Sequence, residues 1–205
     1  MKSIAAFISS VLIVTSVLAN DMAPDVLIKS VSSEVLEIVR ADKDIQSGDA
    51  KKAMDLVEKK IAPNFDFLHM TRLALGRDWR QASAEQQKAL ANEFQILLVR
   101  TYSRALTEYK NQTIDIKPLL LKTGETDAKV HSEIKQPGAQ SIQLDYYLQK
   151  GNAGWKIYDI EIAGISLVTN YRDSFAREVR NSGIDGLIKS LQTKNRSGDT
   201  VAIKK

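Results

Sequence analysis

The amino-acid sequence predicts an α+β fold, one curved antiparallel sheet of four to five strands covered by several helices. Two observations carry this reading. Through the first half of the chain apolar residues recur at three- and four-residue steps, the spacing of one helix face, and after Asn111 the period changes to two, the spacing of one strand face. Helices first and strands later, with no repeat and no low-complexity linker between them, describe one unit in which helices cover a sheet.

The elements follow in order. From Pro24 to Val39 the residues Val26, Leu27, Val31, Val35, Leu36, Ile38 and Val39 form the first helical stripe. Asp49 caps a second helix carrying Ala53, Met54, Leu56, Val57 and Ile61, which stops before Pro63. A third spans Asp66 to Leu75 and ends at Gly76, a residue that takes positive φ without a steric penalty. Ser83-Ala84-Glu85-Gln86 is a capping-box pattern and opens the longest helix, expected to reach about Lys110, with Leu90, Phe94, Leu97, Leu98, Ala105, Leu106 and Tyr109 along one stripe.

Strands then alternate. Ile114 and Ile116 flank Asp115, Val130 and Ile134 bracket His131 to Glu133, and Ile142, Leu144, Tyr146 and Leu148 interleave with polar neighbours. Gly151 to Gly154 is a turn, and Trp155 to Ile160 returns as the next strand. Helical segments around Tyr171–Arg180 and Gly186–Leu191 close the domain, and the polar, basic tail from Thr193 to Lys205 is expected to be loose. The pattern is that of an NTF2-like core with a helical annex.

The first residues stand apart. Lys2 precedes a nearly uncharged run from Ile4 to Leu18, with Ala19 placed for cleavage before Asn20, which is the form of a secretory signal peptide over residues 1–19. An uncleaved anchor is the rival, but the apolar run is shorter than the roughly 20 residues that span a bilayer. With no Cys in the chain, a lipid-modified N-terminal Cys is excluded, and neither disulfides nor thiolate metal sites can hold the fold. Removing residues 1–19 takes away Lys2 and no acid, leaving 28 basic against 25 acidic residues. That balance does not point to nucleic acid. Residues 20–192 then form a single α+β domain, and 193–205 a flexible basic tail.

Candidate chemistry is sparse. There are two His, no nucleophile elbow, no phosphate-binding loop and no dinucleotide fingerprint. His69 and His131 lack neighbours at metal-ligand spacing and read as surface or packing residues. Asp159 and Glu161 alternate along one strand and so share a face; they read either as its solvated side or as an acid/base pair of an isomerase-like enzyme on the same type of fold. The apolar supply of the strands and long helix serves equally for a core or a pocket, because periodicity does not separate the two. Arg77, Arg80, Arg100 and Arg104 suit either a phosphate head group or a charge-balanced surface.

Three blocks, Leu73-Ala-Leu-Gly-Arg-Asp-Trp79, Ser83-Ala-Glu-Gln-Gln87 and Phe94 to Leu106, closely resemble the toluene-tolerance, or MlaC-type, family of periplasmic lipid-binding proteins. The resemblance continues through Trp155-Lys-Ile-Tyr-Asp-Ile-Glu-Ile-Ala-Gly-Ile-Ser-Leu-Val-Thr-Asn-Tyr171 and Gly183-Ile-Asp-Gly-Leu187, and covers roughly residues 24–192, least in the first helix. It implies a soluble, monomeric carrier of glycerophospholipid without cofactor or turnover. Such a carrier would run between an outer-membrane lipoprotein-porin complex and an inner-membrane ABC transporter bearing a lipid-binding ring, and so maintain outer-membrane lipid asymmetry. On that footing the expected acyl-chain lining is Phe94, Leu98, Tyr102, Ile134, Tyr146, Leu148, Trp155, Ile157 and Ile160, with Val168 and Tyr171 at the closing element. Arg77, Arg80, Arg100 and Arg104 are the expected docking or head-group residues. A cargo-free adaptor between envelope complexes is the remaining alternative.

Overall fold

The computed structural model describes residues 22–109 and 111–197. The expected leader and the last eight residues of the tail lie outside them. Helix α1, Pro24–Ala41, starts on a proline whose missing N–H would have no intrahelical partner there. Asp42 ends it and at once caps the short α2, Lys43–Gln46, its Oδ1 accepting from the amides of Asp44 (2.9 Å) and Ile45 (3.2 Å). Sequence periodicity does not resolve so short a turn. Asp49 caps α3, Ala50–Leu56, through the Lys52 amide (3.0 Å). The chain then widens to a π turn, Val57–Ile61, where the sequence pattern reads as uninterrupted helix, and tightens to a 3-10 turn, Ala62–Asn64, at the expected stop before and around Pro63.

Helix α4, Phe67–Leu75, is capped by Asp66 and stopped by Gly76, whose φ of 57° favours glycine. A 3-10 segment, Gly76–Gln81, leads to α5, Ala84–Thr107, where the predicted capping box is formed: the Gln86 amide donates to Ser83 Oγ and the Ser83 amide to Gln86 Oε1. Helix α6, Leu167–Ser197, runs through both predicted C-terminal segments, bending at Gly183 (φ 70°), and keeps Thr193 to Ser197 helical where a loose tail was expected.

The sheet is a five-stranded antiparallel meander in chain order: β1 Thr113–Ile116, β2 Asp127–Lys135, β3 Ile142–Gly151, β4 Gly154–Ile162 and β5 Ile165–Ser166. Its register sets apolar rows across one face. Ile114, Ile134 and Ile142 stand opposite one another, as do Val130, Tyr146 and Ile160, and Ala128, Leu148 and Ile157. An irregularity between Tyr147 and Leu148 adds one residue to β4 there, so Ile157 and Ile160, three apart, still share that face. At the edge of β4 the Asp66 amide donates to the Ile157 carbonyl (2.8 Å), tying the entrance of α4 to the sheet.

Apolar residues collect in separate clusters. Between α4, α5 and α6, Phe94 is fully buried with its ring edge-on to Tyr171 (5.1 Å) and Phe175 (5.2 Å), among Met70, Leu90, Leu98, Val168 and Leu187. A second cluster joins Ile28 of α1 to Val130, Leu148, Trp155 and Ile157 of the sheet, and a third packs Val35 and Val39 of α1 against Ile45, Ala53 and Leu56. The opposite sheet face is polar. There Asp145, 2 % exposed, pairs with Lys129 (3.0 Å) and His131 (2.9 Å).

Candidate functional site

Helix α1 does not close onto the sheet along its whole length. Between them lies a cavity of about 450 Å³, inside the range of roughly 300–1,000 Å³ typical of ligand pockets. The helix contributes Leu27, Ile28, Val31, Ser32, Val35, Leu36 and Val39, one stripe at three- and four-residue steps. From Leu27 to Val39 that stripe spans about 18 Å at 1.5 Å per residue. The sheet floor is Ile114, Ile134, Ile142, Tyr146, Ile157 and Ile160, all on the apolar face. Ile61, Asn64 and Phe65, on and just after the π and 3-10 turns, make one side wall, and Ala105, Leu106, Glu108 and Tyr109 at the end of α5 make another.

Polarity is unevenly distributed along the slot. At the end holding Leu27, Ile28, Phe65 and Ile157 the wall is apolar, and Asn64 there turns its amide back to the carbonyls of Lys60 (2.9 Å) and Ile61 (3.3 Å). At the other end Glu108, Tyr109, Gln112, Thr113 and Gln136 gather, and Ala105, Glu108 and Thr113 are exposed to solvent while Ile28 and Ile157 are buried. The slot is therefore a dry sleeve with a polar mouth. Its one buried phenol, Tyr146, lies beside Ser32 and Ser132, and burial pushes its hydroxyl up to about 12.

The expected lining residues divide between this slot and solid core. Ile134, Tyr146, Ile157 and Ile160 stand on the cavity wall. Phe94, Leu98, Val168 and Tyr171 lie in the helical cluster and Tyr102 packs against it, because the N-terminal part of the α5 stripe faces α4 and α6, not the sheet. Burial raises the Tyr102 hydroxyl, with Tyr171 alongside it. Leu148 and Trp155 share the inward sheet face but fill the second cluster. The α1 stripe was missing from the expected site although Val31, Val35, Leu36 and Val39 were legible as a helix face. Nothing in an amphipathic stripe says whether the surface opposite touches it. Ser32, a polar residue inside that stripe, was the available sign.

Of the arginines, Arg77 and Arg80 are exposed on the 3-10 segment after α4, and Arg100 and Arg104 lie on α5, where Arg104 pairs with Glu108 (3.4 Å). Asp159 and Glu161 point away from the slot, since Ile160 between them faces it. Asp159 accepts from Ser166 Oγ (2.5 Å) and the Val168 amide (3.1 Å), holding the start of α6, and Glu161 accepts from the Tyr147 hydroxyl (2.7 Å). Asp159 is thus a half-buried helix cap and not a solvated-face residue. Among the described residues no group of His, Asp or Glu is placed to hold a metal ion, and no helix is long and apolar enough to cross a membrane.

Comparison with known proteins places this architecture. A phospholipid-binding protein from Ralstonia solanacearum, solved in complex with a phospholipid, superposes with a TM-score of 0.79 at 35 % identity, covering 86 % of this chain and 99 % of that one. The intermembrane phospholipid transport system binding protein MlaC of Haemophilus influenzae is 25 % identical over 193 residues, 93 % of this chain and 90 % of that protein. The toluene tolerance protein ttg2D of Pseudomonas putida is 23 % identical over 163 residues, 79 % of this chain and 75 % of its own. The profile of the MlaC protein family matches residues 29–193, and the chain belongs to that family.

Proposed function

We propose that the protein is a soluble periplasmic carrier that binds glycerophospholipid by its acyl chains in the slot between α1 and the sheet. The observation that carries this reading is the cavity itself, an apolar sleeve of about 450 Å³ with a polar mouth. It is supported by the phospholipid complex of the Ralstonia relative and by the transport role named for the Haemophilus one.

The physical task is shielding. A methylene exposed to water costs about 0.8 kcal/mol, so moving a chain of about sixteen carbons through water unprotected faces a barrier on the order of 12 kcal/mol. Ile134, Tyr146, Ile157 and Ile160 of the sheet and Val31, Val35 and Leu36 of α1 are the groups that replace bilayer around the chain. The protein supplies no reacting group in this scheme; it is a container, not a catalyst.

Residues 1–19 serve in this scheme as the export signal. The carrier runs between an outer-membrane lipoprotein-porin complex and an inner-membrane ABC transporter complex with a lipid-binding ring, and so maintains outer-membrane lipid asymmetry. Arg77, Arg80, Arg100 and Arg104 are proposed as docking residues for those complexes. A bound state stable in water does not empty itself, so loading and release are driven by docking on partners that compete for the lipid.

The test is lipid carriage by the mature chain. Protein gently purified from bacterial cells is expected to yield phospholipid on organic extraction and mass spectrometry, and to move labelled phospholipid from donor to acceptor vesicles. Empty protein that also fails to take up lipid on challenge would overturn the reading.

A further inference from the structure

Beside the polar mouth, bonded to its wall residue Tyr109, stands a cation with no ion-pair partner among the described residues. Arg40, in the last turn of α1, is exposed; its Nε donates to the Tyr109 hydroxyl (2.7 Å) and it forms no ion pair among the described residues. Its neighbours at this end differ: Arg104 pairs with Glu108, and Lys135, beside Gln136, pairs with Asp115 (2.9 Å). The helix dipole accounts for a basic residue in the last turn of α1. It does not account for a side chain held toward a wall residue 69 positions away in sequence. Tyr109 is committed on both sides, accepting from Arg40 and donating to the Gln112 carbonyl (3.1 Å), so its hydroxyl fixes where the guanidinium stands.

We propose that Arg40 is the phosphate-contacting residue of the slot. Resting on the carrier reading above, this orients the ligand: acyl chains run toward Ile28 and Ile157, and the phosphodiester sits at the mouth against the two Arg40 Nη groups, which the Nε bond to Tyr109 does not use and which donate to no other described residue. A guanidinium offers paired donors that match phosphate oxygens. Glu108, also on the wall, is occupied by Arg104 and does not oppose the anion there. Since every glycerophospholipid carries this phosphate, the contact selects phospholipid over uncharged diacylglycerol without choosing among head-group alcohols. Toward the phosphate Tyr109, a wall residue of the slot, is a positioning residue that acts through Arg40.

Calorimetric titration of the delipidated mature chain tests it, using water-soluble dihexanoyl-phosphatidylglycerol, dihexanoyl-phosphatidylethanolamine and dihexanoylglycerol, with inorganic phosphate as competitor. A charge-assisted contact at a wet mouth is expected to favour both phospholipids about ten-fold over the diacylglycerol. Arg40→Ala is expected to erase that preference while leaving diacylglycerol affinity unchanged, Arg40→Lys to restore part of it, and Tyr109→Phe to weaken it. A preference that survives Arg40→Ala, or an equal loss for all three lipids, overturns the assignment while carriage stands. Displacement of phospholipid by excess inorganic phosphate alone would also overturn it, marking a free-anion site. Binding of no lipid by the parent chain sinks the carrier reading and this one with it.

Discussion

The α4–α5–α6 layer and the α1–sheet layer draw on the same kind of sequence, amphipathic stripes of Leu, Ile, Val and aromatics, and end in opposite states. In the first, Phe94 sits wholly buried between Tyr171 and Phe175, and the facing helices interdigitate. In the second, α1 meets the sheet at Ile28, while Val31, Val35 and Leu36 face an open slot. The difference lies in what holds the elements apart. Helix α1 is anchored at its ends, by the Leu119 amide donating to Asp25 Oδ2 (3.2 Å) and by Arg40 on Tyr109, and the turns from Val57 to Asn64 prop a wall beside it. A cavity here is a property of supports at the rim, not of the residues that line it.

Substitutions that remove volume from each layer separate the two most strongly. Phe94→Ala empties the solid core and is expected to lower unfolding free energy by about 3–5 kcal/mol in chemical denaturation, with lipid per folded molecule little changed. Substitutions that add volume give the converse. Leu98→Trp overpacks the helical cluster and is expected to destabilise by about 1–3 kcal/mol, whereas Val31→Trp fills vacant space. The latter is expected to keep parental stability within about 1 kcal/mol while abolishing retained phospholipid by mass spectrometry. If both tryptophans destabilise alike, the slot is not open and the contrast fails.

Smaller effects refine the assignment of polar groups. Asp159→Ala removes the acceptor of the Val168 amide and of Ser166 Oγ at the start of α6, leaving Ser166 Oγ on the Thr169 amide, and is expected to lower stability by about 1 kcal/mol in denaturant titration, without reducing lipid uptake. A larger loss of uptake than of stability would restore a role for Asp159 in ligand chemistry. The least change at neutral pH is expected from Tyr146→Phe. Burial raises the Tyr146 hydroxyl to about 12, so its neutral form stabilises the fold fully below about pH 10, and that contribution is lost as pH rises through about 12. Stability measured across that window should fall less steeply in the phenylalanine variant than in the parent, and parallel curves would show that Tyr146 is not desolvated.

The strand half of the site was legible in the sequence in part. Alternation pairs Tyr146 with Leu148 and Trp155 with Ile157 on one face, but it sets Ile160 opposite to Ile157; the extra residue in β4 returns Ile160 to the shared face, and alternation gives no sign of it. Which of them touch ligand was not legible: Leu148 and Trp155 lie under neighbours that the alternation of their own strands does not reveal. The helix half went further astray. The α5 stripe reads as continuous from Leu90 to Tyr109, yet its early residues serve the helical core and only Ala105, Leu106 and Tyr109 reach the slot. A helix long enough to span two layers can change partners along its length without any change in periodicity.

The central claim is that acyl chains occupy the α1–sheet slot and not the helical cluster. A phospholipid bearing a photoreactive diazirine at the end of one acyl chain, loaded into the mature chain and irradiated, tests it directly through the sites of the adducts. The account predicts adducts on α1 and strands β2 to β4, concentrated near Leu27, Ile28, Phe65 and Ile157. Adducts on α4, α5 or α6 around Phe94 and Tyr171 would contradict it.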